Sequence, residues 1–173
     1  MFHENTEDMT IVYPGSFDPV TLGHIDITRR AAEFAHRLVV AVLDNPHKEP
    51  MFSVAERVSF LQDSLADVSN VEIDSFSGLL ADYVVKKGAD AVLRGLRCAD
   101  DFGNEFPYAV CNKAISGGRV ETIFLPASPE FVHVSSSIVR EVANFGVVSD
   151  FVPPVVRVAI EKRFLILTDS VDS

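Results

Sequence analysis

Only two of the 173 residues are cysteine, Cys98 and Cys111. Two thiols do not make a disulfide framework, and no Cys or His spacing resembles a zinc site. No apolar run reaches the ~18–20 residues needed to cross a bilayer, and no basic segment followed by an apolar stretch opens the chain. These absences point to a reducing cytoplasm and away from a membrane. Cations are scarce too: 15 Lys and Arg stand against 25 Asp and Glu, a formal net charge of −10. An acidic body argues against a nucleic-acid binder. Glu4, Glu7, Asp8, Asp169 and Asp172 near the ends account for half of that excess, which leaves Lys48, Arg94, Arg97 and Arg140 able to gather around a phosphate.

The strings that mark common nucleotide and hydrolase sites are missing as well. There is no G-x-x-x-x-G-K-[ST] and no G-x-G-x-x-G, so neither a P-loop nor a dinucleotide fingerprint is present. No nucleophile elbow supports Ser–His–Asp chemistry, and Asp101-Phe102-Gly103 spells a kinase tripeptide without the kinase catalytic loop.

What is there is an alternation. The chain is 47% hydrophobic, enough for one real core. Short runs of Val, Ile and Leu at 10–12, 38–43, 71–73, 91–93 and 122–125 read as strands buried on both faces. Helices are expected over 25–36, over 57–66 behind the capping box Ser53-Val54-Ala55-Glu56, and over 78–87 before Gly88. Three more are expected over 104–116, 135–145 and 153–164, with Pro107 in the first turn of its helix. The fold class is therefore α/β: a Rossmann-like, doubly wound, five-stranded, mostly parallel sheet with helices on both faces. Residues 1–8 read as a disordered extension, 9–164 as a single domain and 165–173 as a C-terminal tail.

In such a sheet, ligands bind beyond the carboxyl ends of the strands, where strand order reverses. Four loops rich in cations, glycine or hydroxyls follow strands. They are Gly15 to His24, Asp44-Asn45-Pro46-His47-Lys48, Arg94-Gly95-Leu96-Arg97 and His133-Val134-Ser135-Ser136-Ser137. A Gly/Pro turn running into a helix start offers free backbone N–H groups and the positive end of a helix dipole to an anion. Gly23 lets the backbone come close to it. Taken alone, each residue has a plainer role. His24 reads as a surface residue, Lys48 as a solvated lysine, Arg94 and Arg97 as ion-pair partners, and one serine of Ser135, Ser136 and Ser137 as an N-cap. His47 and His133 read as bland, and Cys98 as a core or loop thiol. The functional reading rests on all four loops lying along one edge, where the Arg fork suits phosphate oxygens.

The residues from Tyr13-Pro14-Gly15-Ser16-Phe17-Asp18-Pro19 to Thr21-Leu22-Gly23-His24 resemble the T-x-G-H motif of the nucleotidylyltransferase superfamily. Val134-Ser135-Ser136-Ser137-Ile138-Val139-Arg140 resembles its second motif. With Pro50-Met51-Phe52 after Lys48, and with Arg94-Gly95-Leu96-Arg97, the set is similar to the bacterial phosphopantetheine adenylyltransferases over residues 10–164. The resemblance implies transfer of AMP from ATP to 4′-phosphopantetheine, giving dephospho-coenzyme A and pyrophosphate. It also implies Mg²⁺ with the ATP, a homohexamer, and coenzyme A as a candidate feedback ligand. Carried over by motif, Ser16 and Lys48 hold the acceptor phosphate. His24 stabilises charge at the α-phosphate, and His24, Lys48 and Arg97 form the catalytic set. Arg97, Ser135, Ser136 and Ser137 hold the outer phosphates. Ser16, Phe17, Arg94, Gly95 and Glu105 are further ATP-side residues, and Arg94 and Leu80 line the pantetheine side. The metal's ligands are not implied.

The chain departs from the family pattern at Ser16, where Thr is common, and at Glu49, Gly103-Asn104, Pro107 and His133. Two alternatives stay open: adenylyl transfer to another acceptor such as nicotinamide mononucleotide, and a non-catalytic nucleotide sensor on the same fold. An anionic nucleophile needs no strong base, so positioning and charge stabilisation suffice for the chemistry.

Overall fold

The computed structural model describes residues 9–45 and 49–169. Among these residues five strands and six helices follow one another, alternating as far as β5: β1 (Thr10–Gly15), α1 (Leu22–Ala32), β2 (Arg37–Leu43), α2 (Val54–Ser64), β3 (Val71–Phe76), α3 (Leu80–Lys87), β4 (Ala91–Leu96), α4 (Ala99–Ile115), β5 (Glu121–Pro126), α5 (Ser136–Val142) and α6 (Pro154–Asp169). The strands form one sheet in the order β3-β2-β1-β4-β5. Every pairing is parallel, so the expected α/β doubly wound sheet is present without an antiparallel strand. The expected extension 1–8 lies outside the described residues.

Alternate strand residues serve two cores. Ile11, Tyr13, Leu38, Val40, Val42 and Leu93 face a large cluster filled by Ile25, Ile27, Phe60, Leu61, Val139, Val156 and Ile160. Val12, Val39, Ala41 and Val92 face a smaller one with Phe76, Val84 and Val120. Helices α1, α2, α5 and α6 thus cover one face. α3 and α4 lie on the other, and α4 has no buried residue along its whole length.

Order reverses between β1 and β4, and there the sheet opens. Ladder pairing between these strands covers only Ile11–Ala91 and Val12–Val92, although β1 runs on to Gly15 and β4 to Leu96. By contrast β1 stays paired with β2 as far as Gly15 and Val42. Pro14, inside β1, has no N–H to give a ladder, and the pairing with β4 has ended before it. The crevice predicted for this topology lies there.

Several boundaries correct the sequence reading. Helix α1 begins at Leu22 and ends at Ala32, because Thr21 caps it and makes a capping box with His24. His24 is therefore inside the first turn rather than just ahead of the helix. The capping box Ser53–Glu56 is present as expected, and α2 starts directly behind it at Val54. Helix α4 starts at Ala99, not at 104, so Pro107 is mid-helix rather than in the first turn. α3 starts at Leu80 rather than at 78, while its end before Gly88 is as expected, with Gly88 in the left-handed region at φ 64°. α5 stops at Val142 and gives way to a 3-10 turn before Gly146, and α6 continues past 164 to Asp169.

Candidate active site

The turn after β1 is built around Phe17. This residue takes φ +49°, a conformation uncommon outside glycine, and its ring is 1% exposed. It meets Tyr13 edge-on at 5.5 Å and His24 edge-on at 5.0 Å between centroids. A Cβ on Gly15 would lie 2.9 Å from the Phe17 ring, so Gly15 is glycine because Phe17 folds back over it. The sequence reading placed Phe17 among ATP-side residues. The whole residue is buried, with its ring packed beneath the turn against His24. Around Gly23 the protein stays at ordinary contact distance, with Phe131 Cβ 3.7 Å from where a Cβ would be.

His24 is half-buried, and its protonation is fixed by the cap. The Thr21 backbone N–H donates to His24 Nδ1 at 3.1 Å, while His24 N–H donates to Thr21 Oγ1 at 3.3 Å. Nδ1 is thus the acceptor, and the ring proton sits on Nε2. Burial, helped by the nearby Arg97 charge, pushes the imidazole down to about 4. His24 is a neutral ring that offers one N–H, and at neutral pH it is neither a cation nor a base waiting for a proton.

Across the crevice, Arg94 Nε lies 3.1 Å from Glu105 Oε2. Arg97 holds Asp101 with its backbone N–H at 2.8 Å, Nε at 3.0 Å and Nη2 at 3.1 Å. Burial alone would raise the Asp101 carboxyl, but the Arg97 hydrogen bonds outweigh it and hold the group below its usual range. Both arginines are therefore ion-pair partners, as each reads when taken alone. These pairs are half-exposed, worth about 0–1 kcal/mol, so a polyphosphate can compete for either guanidinium. Gly95 sits where a Cβ would be 3.4 Å from Ile27 and 3.6 Å from the Tyr13 hydroxyl, closing the crevice floor. Burial raises the Tyr13 phenol well above its ordinary value, so it stays protonated.

The third wall is the start of α5. Ser135 Oγ caps the helix by accepting from Ile138 N–H at 3.2 Å, and its own proton remains free to donate. Ser136 donates to the Pro19 carbonyl at 2.8 Å, tying α5 to the β1 turn. Ser137 accepts from Arg140 Nη2 at 3.3 Å, and Arg140 also donates to the Asp18 carbonyl. Of the three hydroxyls, only Ser136 donates its proton to the scaffold, whereas Ser135 and Ser137 act as acceptors.

Ser16 is exposed at the lip of the turn. Leu80 opens α3 and packs with the second core. It stands beyond β3, two strands from β1, which is about 10 Å across the sheet. Lys48 and His47 lie outside the described residues. His133 is exposed and meets Phe151 edge-on, and Cys98 is exposed at the N-cap of α4, in the loop after β4 and not in the core.

Two residues were given no role by sequence reading. The Asp18 carboxylate is buried, and it accepts from Met51 N–H at 2.8 Å and Phe52 N–H at 2.9 Å. Arg57 is buried on the apolar stripe of α2 beside Phe60 and Leu61. A charge at i with apolar residues at i+3 and i+4 was the available signal.

A cytidylyltransferase-like family model matches residues 12–142. A phosphopantetheine adenylyltransferase from Caldanaerobacter subterraneus subsp. tengcongensis is 49% identical over 154 residues, covering 88% of this chain and 96% of that one. One from Cutibacterium acnes is 50% identical over 157 residues, covering 90% and 99%. A crystal structure from Vibrio parahaemolyticus, provisionally assigned as a nicotinate-nucleotide adenylyltransferase, superposes with a TM-score of 0.64 at 17% identity, covering 88% of this chain and 98% of that one. At that identity the likeness is one of fold.

Proposed function

The chain belongs to the cytidylyltransferase-like family and, within it, to the phosphopantetheine adenylyltransferases; it is a nucleotidyltransferase that moves AMP from ATP to 4′-phosphopantetheine, and we propose that it does so by direct in-line attack. The acceptor phosphate is already an anion, so no side chain has to remove a proton. Ser16 and Lys48 hold that phosphate, and Leu80 and Arg94 line the pantetheine side. ATP lies in the crevice between β1 and β4, near Glu105, Gly95 and the turn at Phe17. The reacting α-phosphate gathers charge as the bond to the leaving pyrophosphate breaks. His24 donates its Nε2 proton in a hydrogen bond to that charge without giving the proton up. Arg97, Ser135 and Ser137 take the outer phosphates.

The observation that carries this reading is the neutral His24 ring, with Nδ1 tied to the helix cap, beside a crevice flanked by Arg94 and Arg97. Its catalytic value comes from a donor fixed before charge develops.

Among the described residues, no group of three His, Cys, Asp or Glu side chains could hold a metal ion. Magnesium commonly sits on substrate phosphates and keeps several waters. We therefore assign it to the ATP as Mg-ATP, and no protein residue is assigned as its ligand. We place the enzyme in the cytoplasm, where free thiols such as Cys98 and Cys111 stay reduced; no helix among the described residues is long and apolar enough to cross a membrane. Phe102, Phe106 and Val110, spaced four apart on one side of α4, are 44–54% exposed, an apolar stripe that supports assembly into a homohexamer. Coenzyme A, which carries the same pantetheine arm, is the proposed feedback ligand.

The direct test mixes the protein with Mg-ATP and 4′-phosphopantetheine and follows pyrophosphate and dephospho-coenzyme A. A parallel panel replaces the acceptor with nicotinamide mononucleotide. Release of pyrophosphate with the mononucleotide and not with phosphopantetheine would overturn the acceptor assignment, and tight ATP binding without pyrophosphate release would make the protein a sensor.

A further inference from the structure

Among the described residues, Arg57 is the one basic side chain that the fold buries, at 3% exposure. Its hydrogen bonds all go to backbone carbonyls. Nη1 donates to Ser16 O at 2.7 Å and Leu43 O at 3.3 Å, and Nε donates to Ser53 O at 3.3 Å. The neighbouring acids are engaged elsewhere: Asp18 accepts from Met51 and Phe52 N–H, and Glu56 pairs with Arg163 at 3.2 Å. Burying a guanidinium without a carboxylate is costly, and a purely structural bracket could have been made by a neutral side chain. The three carbonyls have one thing in common. They lie at the exit of β1, the exit of β2 and the cap of α2, so one rigid fork fixes the Ser16 peptide against both neighbouring elements.

We propose that Arg57 is a positioning residue for the acceptor, setting the Ser16 peptide, and through it the exposed Ser16 hydroxyl, in register with the acceptor's phosphate. The inference rests on the reading that Ser16 takes that phosphate. Lysine at this position keeps the charge but is a single point donor, without the planar fork that reaches two carbonyls from one nitrogen and a third from another. Asp18 does the matching work on the other side of the turn, holding the Met51 and Phe52 amides where the chain returns from β2.

The test is a cycle of Arg57→Lys, Ser16→Ala and the double variant, with KM measured separately for 4′-phosphopantetheine and for ATP. Arg57→Lys is expected to raise the acceptor KM about tenfold, the size of one charge-assisted hydrogen bond, and to leave the ATP KM within about twofold. In the Ser16→Ala background, the same change is expected to add less than about twofold, because the group it positions is gone. Equal shifts in both KM values, an unchanged acceptor KM, or full additivity in the double variant would each overturn the inference. If Ser16→Ala alone leaves the acceptor KM unchanged, the assignment of Ser16 fails, and the inference fails with it. Thermal unfolding checks that each variant is folded. Should Arg57→Lys not fold, Arg57→Gln, shorter and able to donate to the Ser16 carbonyl, is judged by the same criteria.

Discussion

Lowering the pH from 7 to 5 should destabilise this protein through His24, by an amount that follows from its surroundings. The folded ring titrates at about 4, and an exposed histidine in the unfolded chain titrates near 6.5. Between those values the unfolded chain binds a proton that the folded chain refuses. Stability therefore falls as pH drops through this window, and the loss is complete below the folded value. Integrating the difference gives about 2 kcal/mol lost between pH 7 and pH 5, of about 3 kcal/mol in all. The assay is urea unfolding of the native chain and of His24→Ala at both pH values. The native chain should lose about 2 kcal/mol more than the variant, and the variant should lack this component. The same substitution should lower kcat by ~10²–10³ at pH 7 with the fold intact, as for other fixed donors to developing charge. The native rate should show no inflection near pH 6.5 that disappears in the variant. An NMR titration placing the His24 midpoint between 6 and 7, or equal pH sensitivity in the two proteins, would refute the argument that the Thr21 cap and burial hold the ring neutral.

Gly15→Ala should cost about 1–3 kcal/mol by overpacking, since the new methyl would sit 2.9 Å from the Phe17 ring; chemical denaturation should show it, and the kcat loss should exceed that of a surface Gly→Ala change because Phe17 supports His24. Pro107→Ala should raise the melting temperature: proline in a helix interior costs about 3 kcal/mol, and here it is exposed in the middle of α4. An unchanged or lower melting temperature would show that proline at 107 is needed for packing.

Much of the architecture was written in the hydrophobic runs. Val- and Ile-rich segments located all five strands because strands buried on both faces leave little else to encode. Their ends were missed by up to three residues, since Pro14-Gly15 in β1, Asp74-Ser75 in β3 and Arg94-Gly95 in β4 break the apolar runs and are held by ladder pairing. The β1 turn and the serines before α5 were legible as a site because glycine, proline and hydroxyls crowd there. The use of each hydroxyl was not legible. Whether Ser136 gives its proton to a ligand or to Pro19 O depends on a contact 117 positions away in sequence. Arg57 looked like an ordinary helix residue, because its partners are carbonyls, which any residue carries. Nor could spacing say that Arg94 and Arg97 spend their resting state on Glu105 and Asp101.

Helix α4 buries none of its own residues, yet it supplies both acids that engage the crevice arginines. It is fastened to the sheet by those two ion pairs, by a third between Lys113 and Glu121 of β5, and by the ring contact of Phe102 with Phe124 at 5.2 Å, while the β1 turn rests on the large core. The two halves of the site therefore differ in how readily they come apart: α4 can fray at a fraction of the cost of global unfolding. Dilution, salt or mild denaturant should strip order from the β4–α4 wall first, and amide exchange along α4 should run ahead of that in α1.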